Sequence, residues 1–197
     1  MQLGRPGSRF AVAAPWRAHA MASEDFDPVR MLAVLREAGV QFVLVGGMAA
    51  ILHGDVGVTI DIDVVPEREP ENLDRLAIAL RTLDARIRAE GAPEGLPFDC
   101  SGEFLRNLAP DSILNLTTQV GDLDLTFRPS GTGGYADLRR DAVEIEAGDG
   151  VRILVASLAD VIRSKEAAGR EKDRLALPRL RRLLDRTRGE EPENASH

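Results

Sequence analysis

A strand that runs directly into a glycine pair and a helix, and then into a second strand with two acids, most limits how this chain can fold. Residues 41–45 (QFVLV) are mostly β-branched or aromatic and predict a buried strand. Gly46 and Gly47 interrupt it, and a compact helix is predicted over Met48–His53. A second strand is predicted over 59–65. This alternation indicates an α/β (α+β) fold, with a small mixed sheet flanked by helices.

The second strand places Asp61 and Asp63 on one face, because residues two apart on a strand point the same way. Ile62 and Val64 point towards the core. Two carboxylates about 7 Å apart along a strand repel each other unless a cation or a basic group lies between them. The pattern therefore predicts a cation beside these acids.

A third acid, Asp124, lies between Leu123 and Leu125 in a later predicted strand. Carboxylates of this kind, together with substrate phosphates, are the ligands that Mg²⁺ prefers. With two such ions the chemistry is in-line phosphoryl or nucleotidyl transfer. Asp122 lies on the same face and is an alternative ligand, but it follows the turn at Gly121. A solvated strand edge is the simpler interpretation of each acid alone, whereas the combined pattern favours a metal site.

Glycines and cations elsewhere predict a phosphate-binding side. Gly46 and Gly47, at a strand-to-helix junction, allow backbone N–H groups to approach an anion. Lys165 continues the apolar face of its predicted helix, where it either neutralises a triphosphate or the acids, or extends its ammonium to solvent. Arg170 and Lys172, near the start of the last helix, are placed to reach phosphate oxygens.

The rest of the chain divides by periodicity and turn residues. Further helices are predicted over 26–38, 69–83, 157–168 and 171–186, the last kinked or restarted at Pro178. Hairpins are predicted over 112–127 and 142–155, and a loop over 91–97. We interpret 21–188 as a single domain with C-terminal helices over 157–186, 1–20 as a flexible tail and 189–197 as a disordered tail.

Charge and hydropathy exclude several classes of protein. The net charge of −7 argues against a protein that coats nucleic acid through bulk electrostatics. Residues 163–188 are nevertheless rich in Arg and Lys, which predicts either a local phosphate-binding face or a solvated helix face. No apolar stretch approaches the roughly 18 residues that span a bilayer. The single cysteine, Cys100, excludes an internal disulfide and agrees with a cytoplasmic location.

Residues 42–65, FVLVGGMAAILHGDVGVTIDIDVV, resemble the core motif of the nucleotidyltransferase superfamily: Gly-Gly, a short helix, Asp-x-Asp and a later lone Asp. The wider pattern, over roughly residues 26–185, resembles the AbiEii-like and MenT-type nucleotidyltransferase toxins of bacterial toxin–antitoxin systems. The residues that carry this wider resemblance are His53-Gly54, Thr59, Leu123-Asp124-Leu125, Ser164-Lys165 and Arg170-x-Lys172-Asp173.

The resemblance implies a role for each matching residue. The implied ligands of one or two Mg²⁺ ions are Asp61, Asp63 and Asp124. The implied nucleotide-binding residues are Gly46, Gly47, Lys165, Arg170 and Lys172. Asp124 would also help to deprotonate the attacking hydroxyl, and Lys165 would count among the catalytic residues. The implied nucleotidyltransferase domain is the segment 21–188 defined above.

The implied function is that of a toxin that transfers nucleotides, most simply pyrimidine nucleotides, from NTP to the 3′ end of tRNA. This transfer would block aminoacylation and stop translation, and a cognate antitoxin protein would restrain it. Some relatives are inhibited by phosphorylation of a Ser or Thr near the metal-binding acids, and Thr59 fits that role. The chain departs from many relatives at Gly57, where they carry an Arg, and it is short.

Two alternatives remain open at this point. One is a nucleotidyltransferase of the same fold, such as an adenylyltransferase, that acts on a protein or a small molecule. The other is a catalytically silent NTP-binding module. Degenerate modules usually lose an acid, whereas Asp61, Asp63 and Asp124 are all present here.

Overall fold

The computed structural model describes residues 26–189, and in that range it contains seven helices and eight strands. The helices are α1 (Pro28–Glu37), α2 (Gly46–Leu52), α3 (Pro70–Thr82), α4 (Gly102–Asn107), α5 (Tyr135–Asp141), α6 (Leu158–Ala168) and α7 (Glu171–Gly189). The strands are β1 (Phe42–Val45), β2 (Asp61–Pro66), β3 (Arg86–Ala89), β4 (Ala92–Leu96), β5 (Ile113–Thr118), β6 (Gly121–Thr126), β7 (Val143–Glu146) and β8 (Arg152–Val155).

All eight strands form one mixed sheet in the order β4-β3-β5-β6-β2-β1-β8-β7. Strand β2 is parallel to β6 and β1 is parallel to β8, whereas the other neighbouring strands are antiparallel. The strands that carry the acids, β2 and β6, therefore lie side by side near the middle of the sheet. The predicted mixed α/β architecture is confirmed.

The core is built from aliphatic side chains, as the scarcity of aromatics requires. Leu44, Ile62 and Leu123 on the central strands are fully buried. One buried polar residue, Asn72 of α3, accepts a hydrogen bond from the Gln41 N–H (2.7 Å) and donates to the Gln41 and Glu67 carbonyl oxygens. Because buried polar groups need partners, this amide fixes α3 against the segments that flank β1 and β2.

Several element boundaries differ from the prediction. The loop predicted over 91–97 is wrong, because Ala92–Leu96 forms strand β4, paired with β3 in a hairpin. Strand β2 begins at Asp61 rather than at residue 59, and α2 begins at Gly46. Helices α4 and α5 were not predicted.

The last helix is not divided at Pro178, which lies inside a continuous α7. A proline in a helix leaves one carbonyl without its partner. Pro178 and Arg174, the residue four positions before it, are both exposed, so water can solvate that carbonyl. Burial of Leu177, Leu180 and Leu183 on the other face favours an uninterrupted helix.

The predicted tail over 1–20 lies outside the described residues. The tail predicted over 189–197 is wrong at its first residue, because Gly189 is the last residue of α7, and the remainder lies outside the described residues. Within residues 26–189, no helix combines the length and the apolar character that crossing a membrane requires.

Candidate active site

Four carboxylates share one face of the sheet, because β2 and β6 pair in register. Asp61 lies opposite Asp122, and Asp63 lies opposite Asp124. The alternating residues, of which Ile62 is fully buried, point into the core on the other face. The predicted convergence of acids from two separate strands is thus present in the backbone register.

A cavity of about 220 Å³, which we call the Gly47 cavity, opens beside these acids. All of the site residues predicted from the sequence line it: Gly46, Gly47, Thr59, Asp61, Asp63, Asp124, Lys165, Arg170 and Lys172. Asp122, the alternative ligand, is not among its lining residues. The fold therefore brings together residues that lie up to 126 positions apart in the sequence, from Gly46 to Lys172.

A second cavity of about 320 Å³, the Asn115 cavity, lies on the other side of the acids. It shares part of its wall with the Gly47 cavity, namely Gly46, Asp63, Asp124, Lys165 and Arg170. Strands β5 and β6, the turn that follows β6, and helix α6 supply most of the remaining wall, which is largely aliphatic or neutral and polar. Asp63 and Asp124 thus line both cavities and lie between them.

Gly46 is required by the close approach of α2 to Asp63. Its φ angle is +70°, a conformation that L side chains rarely adopt, and a Cβ added there would lie 1.9 Å from Asp63 Oδ2. At Gly47, an added Cβ would lie 2.7 Å from Thr59 Oγ1. The glycine pair therefore allows the first turn of α2 to sit directly against the acid-bearing strand.

The negative charges of the site aspartates are only partly balanced by nearby positive charges. Burial, followed by the negative charges of Asp61 and Asp124, raises the pKa of Asp63 to about 7, and the opposing effects of Lys172 and Lys165 are too weak to prevent it. Burial also raises the pKa of Asp124, despite the nearby guanidinium of Arg88. A carboxylate with a raised pKa marks a place where added positive charge is strongly favoured.

Two of the three cations near the junction of α6 and α7 are, by contrast, paired with an acid. Asp173 is fully buried, and its carboxylate accepts hydrogen bonds from Lys165 Nζ (3.0 Å) and Arg170 Nε (2.6 Å). Lys165 thus takes a partner that the sequence analysis did not consider, although it still lines both cavities. Lys172 is exposed, lines the Gly47 cavity and has no ion pair with any of the described residues. Its full charge is therefore available to a ligand.

Two arginines at the site were missed. Arg88 of β3 binds the carboxylates of Asp122 and Asp124. Arg179 of α7 forms a two-pronged pair with the buried Asp55 and lines the Gly47 cavity, and its Nη2 would lie 2.9 Å from a Cβ at Gly57. The Arg179 side chain thus lies beside Gly57, the position at which the chain departs from relatives that carry an Arg. Arg88 had no local signal, because its contact depends on tertiary structure. Arg179 was anticipated only as part of the basic segment 163–188, without its partner Asp55.

Thr59, the predicted modification site, is buried with 7% of its surface exposed. Its hydroxyl donates a hydrogen bond to Asp61 Oδ1 at 2.8 Å. The hydroxyl packs closely against α2, since a Cβ added at Gly47 would lie 2.7 Å from it, although Thr59 also lines the Gly47 cavity. A kinase would reach Thr59 only if the segment before β2 moved outwards.

The donor set fits a hard divalent cation in chemistry, because Asp61, Asp63 and Asp124 offer only carboxylate oxygens. The raised pKa of Asp63 independently indicates a shortage of positive charge at this point. Within residues 26–189, however, no three His, Cys, Asp or Glu side chains are already arranged as a metal-binding group. Asp124 is instead drawn towards Arg88.

Comparison with solved structures places this arrangement in a known fold. The chain aligns over 81% of its length with 99% of the lincosamide antibiotic adenylyltransferase LnuA in its lincomycin-bound form, with a TM-score of 0.51 and 15% sequence identity. A candidate nucleotidyltransferase from Thermotoga maritima aligns with a TM-score of 0.48 and 16% identity, over 80% of this chain and 89% of the other. No protein-family model matches the chain, and comparison with curated proteins gave no significant match.

The similarity to LnuA confirms the prediction of a nucleotidyltransferase fold. At 15% identity the similarity shows the fold alone, so the enzymatic activity stays a prediction. It does not extend to the toxin-like branch that the sequence resembles, so the toxin role and the tRNA acceptor stay predictions.

Proposed function

We propose that this protein is a Mg²⁺-dependent nucleotidyltransferase that transfers a nucleotide from NTP to a hydroxyl acceptor. The observation that carries the proposal is the in-register pairing of Asp61 and Asp63 with a second acidic strand, directly against the glycine-started helix α2. Asp61, Asp63 and Asp124 would hold the metal. When bound, divalent ions stabilise charge on the attacking and leaving oxygens of an in-line displacement.

The Gly47 cavity would take the triphosphate. The backbone N–H groups at Gly46 and Gly47 lie at the start of α2, where unpaired helix donors favour an anion. Lys172 adds a cation without a competing carboxylate among the described residues, and Lys165, Arg170 and Arg179 line the same cavity. These groups would bind and orient the phosphates beside the acids.

The Asn115 cavity would take the acceptor. Asp124 lines it and would therefore lie beside the attacking hydroxyl, where a carboxylate can help to accept the proton. With phosphates on one side of the acids and the acceptor on the other, the two reactants would approach from opposite directions, as in-line transfer requires.

For the acceptor we propose the 3′ end of tRNA, with a pyrimidine NTP as donor, in a cytoplasmic toxin restrained by an antitoxin protein. The sequence resemblance motivates this choice. The exposed arginines of α7 provide a surface on which RNA phosphates can be bound: Arg174, Arg181, Arg182, Arg186 and Arg188. Only Arg181 of these has an ion-pair partner among the described residues, namely Glu166.

A second candidate is an adenylyltransferase that modifies a small molecule. The Asn115 cavity favours it, because about 320 Å³ with a largely uncharged wall is typical of a small-molecule site rather than of an RNA-binding groove. LnuA, with which the fold is shared, is an adenylyltransferase of a lincosamide antibiotic.

The test is incubation of the protein with Mg²⁺, each labelled NTP in turn and total RNA, with Asp61→Ala as the inactive control. We expect label in tRNA-sized RNA with the unmodified protein and none with the variant. Label in a small molecule or protein instead of RNA would establish the second candidate. If no NTP binds in the presence of Mg²⁺, as measured by calorimetry, the chain is a catalytically silent module and the proposal is wrong.

A further inference from the structure

Arg88 reaches across the sheet to the acids of β6. It belongs to β3, which is separated from β6 by β5. Its Nη2 donates a hydrogen bond to Asp124 Oδ1 at 2.6 Å, and its Nη1 donates to Asp122 Oδ2. The guanidinium thus bridges two carboxylates, only one of which, Asp124, lines the Gly47 and Asn115 cavities.

Arg88 is the sole cation that forms an ion pair with any of the four carboxylates, as far as residues 26–189 are concerned. Asp61 is hydrogen-bonded by the neutral hydroxyl of Thr59 instead. One guanidinium is therefore the direct ion-pair partner of a face with four acidic side chains, and Lys172 and Lys165 act on Asp63 only from a distance. Strong electrostatic attraction for a further cation remains after Arg88 is counted.

The contact also determines where Asp124 points. The side-chain amide of Asn115, with its nitrogen directed at Asp124, donates to Oδ1 at 3.1 Å and to Oδ2 at 3.2 Å. Arg88 and Asn115 together hold the third acid towards the β5 side of the sheet.

We propose that Arg88 is a resident counter-cation, which pairs with Asp124 while no divalent cation is bound and releases it when one binds. Asp122 is the anchor that keeps the guanidinium paired after Asp124 turns towards the cation. The inference rests on the proposed function, because it presumes a divalent cation at Asp61, Asp63 and Asp124. It assigns Arg88 and Asp122 as positioning residues, outside the group that contacts substrate.

Replacing Arg88 and replacing Asp122 should change the affinity for divalent cations in opposite directions. Without Arg88, Asp124 has no competing cation, so divalent cations should bind more tightly. Without the charge of Asp122, Arg88 has Asp124 as its remaining acidic partner and should compete more strongly, so divalent cations should bind more weakly. Arg86→Ala removes a positive charge from the same strand without breaking a contact to Asp124, so it measures how much of the tightening comes from charge alone.

The experiment measures Mg²⁺ and Mn²⁺ binding by calorimetry, without NTP and therefore without turnover, in the full chain. We expect Arg88→Ala to bind Mn²⁺ on the order of 10-fold more tightly than the unmodified protein. Asp122→Asn should bind it several-fold more weakly. Arg86→Ala is the matched control, since Arg86 lies on the same strand and has no ion pair with a described acid.

A second readout is the thermal midpoint with and without Mg²⁺. Arg88→Ala should unfold at a lower temperature than the unmodified protein in metal-free buffer, and Mg²⁺ should raise its midpoint by more. If Arg88→Ala does not fold, Arg88→Gln removes the charge and keeps hydrogen-bond donors.

The outcomes separate the inference from the proposed function. Cation binding by the unmodified protein that Arg88→Ala weakens, or changes no more than Arg86→Ala does, overturns the inference alone. Absence of cation binding in the unmodified protein and all variants, with and without NTP, overturns the inference and the proposed function together.

Discussion

The pKa values of aspartates on the sheet face and at the junction of α6 and α7 are shifted in opposite directions. On the sheet, Asp63 lies among other acids and its pKa is raised to about 7. At the junction of α6 and α7, hydrogen bonds from Arg170 and Lys165 outweigh the effect of burial and lower the pKa of Asp173. In the helix cluster, the Asp173 carboxylate is paired with two cations, Lys165 and Arg170. The sheet cluster of four aspartates has too little positive charge nearby. We therefore expect the helix charges to stabilise the protein and the sheet charges to bind a ligand.

The largest effect is expected from Asp63→Asn, which removes a carboxylate of the sheet face. Nucleotidyl transfer should fall by about 100-fold or more, because metal ions supply several kcal/mol of transition-state stabilisation. The free energy of unfolding at pH 8 should rise, since a poorly compensated buried charge is lost. Transfer assays and denaturant titration measure the two quantities. A variant that loses both activity and stability would contradict the assignment of Asp63 to the ligand site.

The pH dependence of stability should differ in sign between the regions. Because the folded pKa of Asp63 is raised from 3.8 to about 7, the unfolded chain loses this proton first as pH rises. Stability should therefore fall between about pH 4 and pH 7, by up to about 4 kcal/mol from this residue. For Asp173 the folded pKa is lowered, so its contribution is present above the ordinary aspartate pKa of 3.8 and is lost as pH falls through the folded pKa.

Denaturant titrations from pH 3 to pH 8 can separate these contributions. The Asp63→Asn protein should lack most of the loss of stability between about pH 4 and pH 7, and saturating Mg²⁺ should reduce this loss in the unmodified protein. A loss of the same size in the variant would mean that other groups cause it.

The helix cluster predicts a stability effect in Asp173→Asn. Two cations would lose their shared carboxylate in a buried position, at a cost of about 3 kcal/mol. Arg181→Ala provides the control on the same helix, because its pair with Glu166 is exposed and should contribute less than about 1 kcal/mol. Equal losses in the two variants, measured by urea unfolding, would mean that Asp173 is not the central acid of this cluster.

A smaller effect, of about 2 kcal/mol, is expected from Gly46→Ala, through positive-φ strain and the clash with Asp63. Gly91→Ala is the matched control, because Gly91 also has a positive φ of +77° but an added Cβ would have no atom within 4 Å. The difference in unfolding free energy between the variants isolates the contact with the acid. No difference would mean that α2 can move away from Asp63 at little cost.

Local patterns were sufficient to predict the centre of the molecule. The alternation around Asp61 and Asp63 reveals a strand with one polar face, and the glycine pair indicates the start of a helix. Asp124 could be found because its neighbours are apolar. These signals lie within a few residues of the groups that they predict, so the sequence contains them directly.

What could not be predicted depends on contacts between distant segments. Nothing around Arg88 shows that it will reach over β5. Strand β4 was missed because the segment 91–97, with two glycines and two prolines, is typical of a loop. Asp173 was recognised as part of a motif, but its role required the knowledge that α6 brings Lys165 beside it.

The parallel pairing of β2 and β6 also guards against misfolding. A shift of either strand by one residue would turn two aspartates into the hydrocarbon interior and expose aliphatic residues such as Ile62 or Leu123. Misaligned forms would thus be penalised twice, by charge burial and by lost hydrophobic contact. The aspartates assigned to catalysis therefore also favour the correct strand register while the sheet assembles.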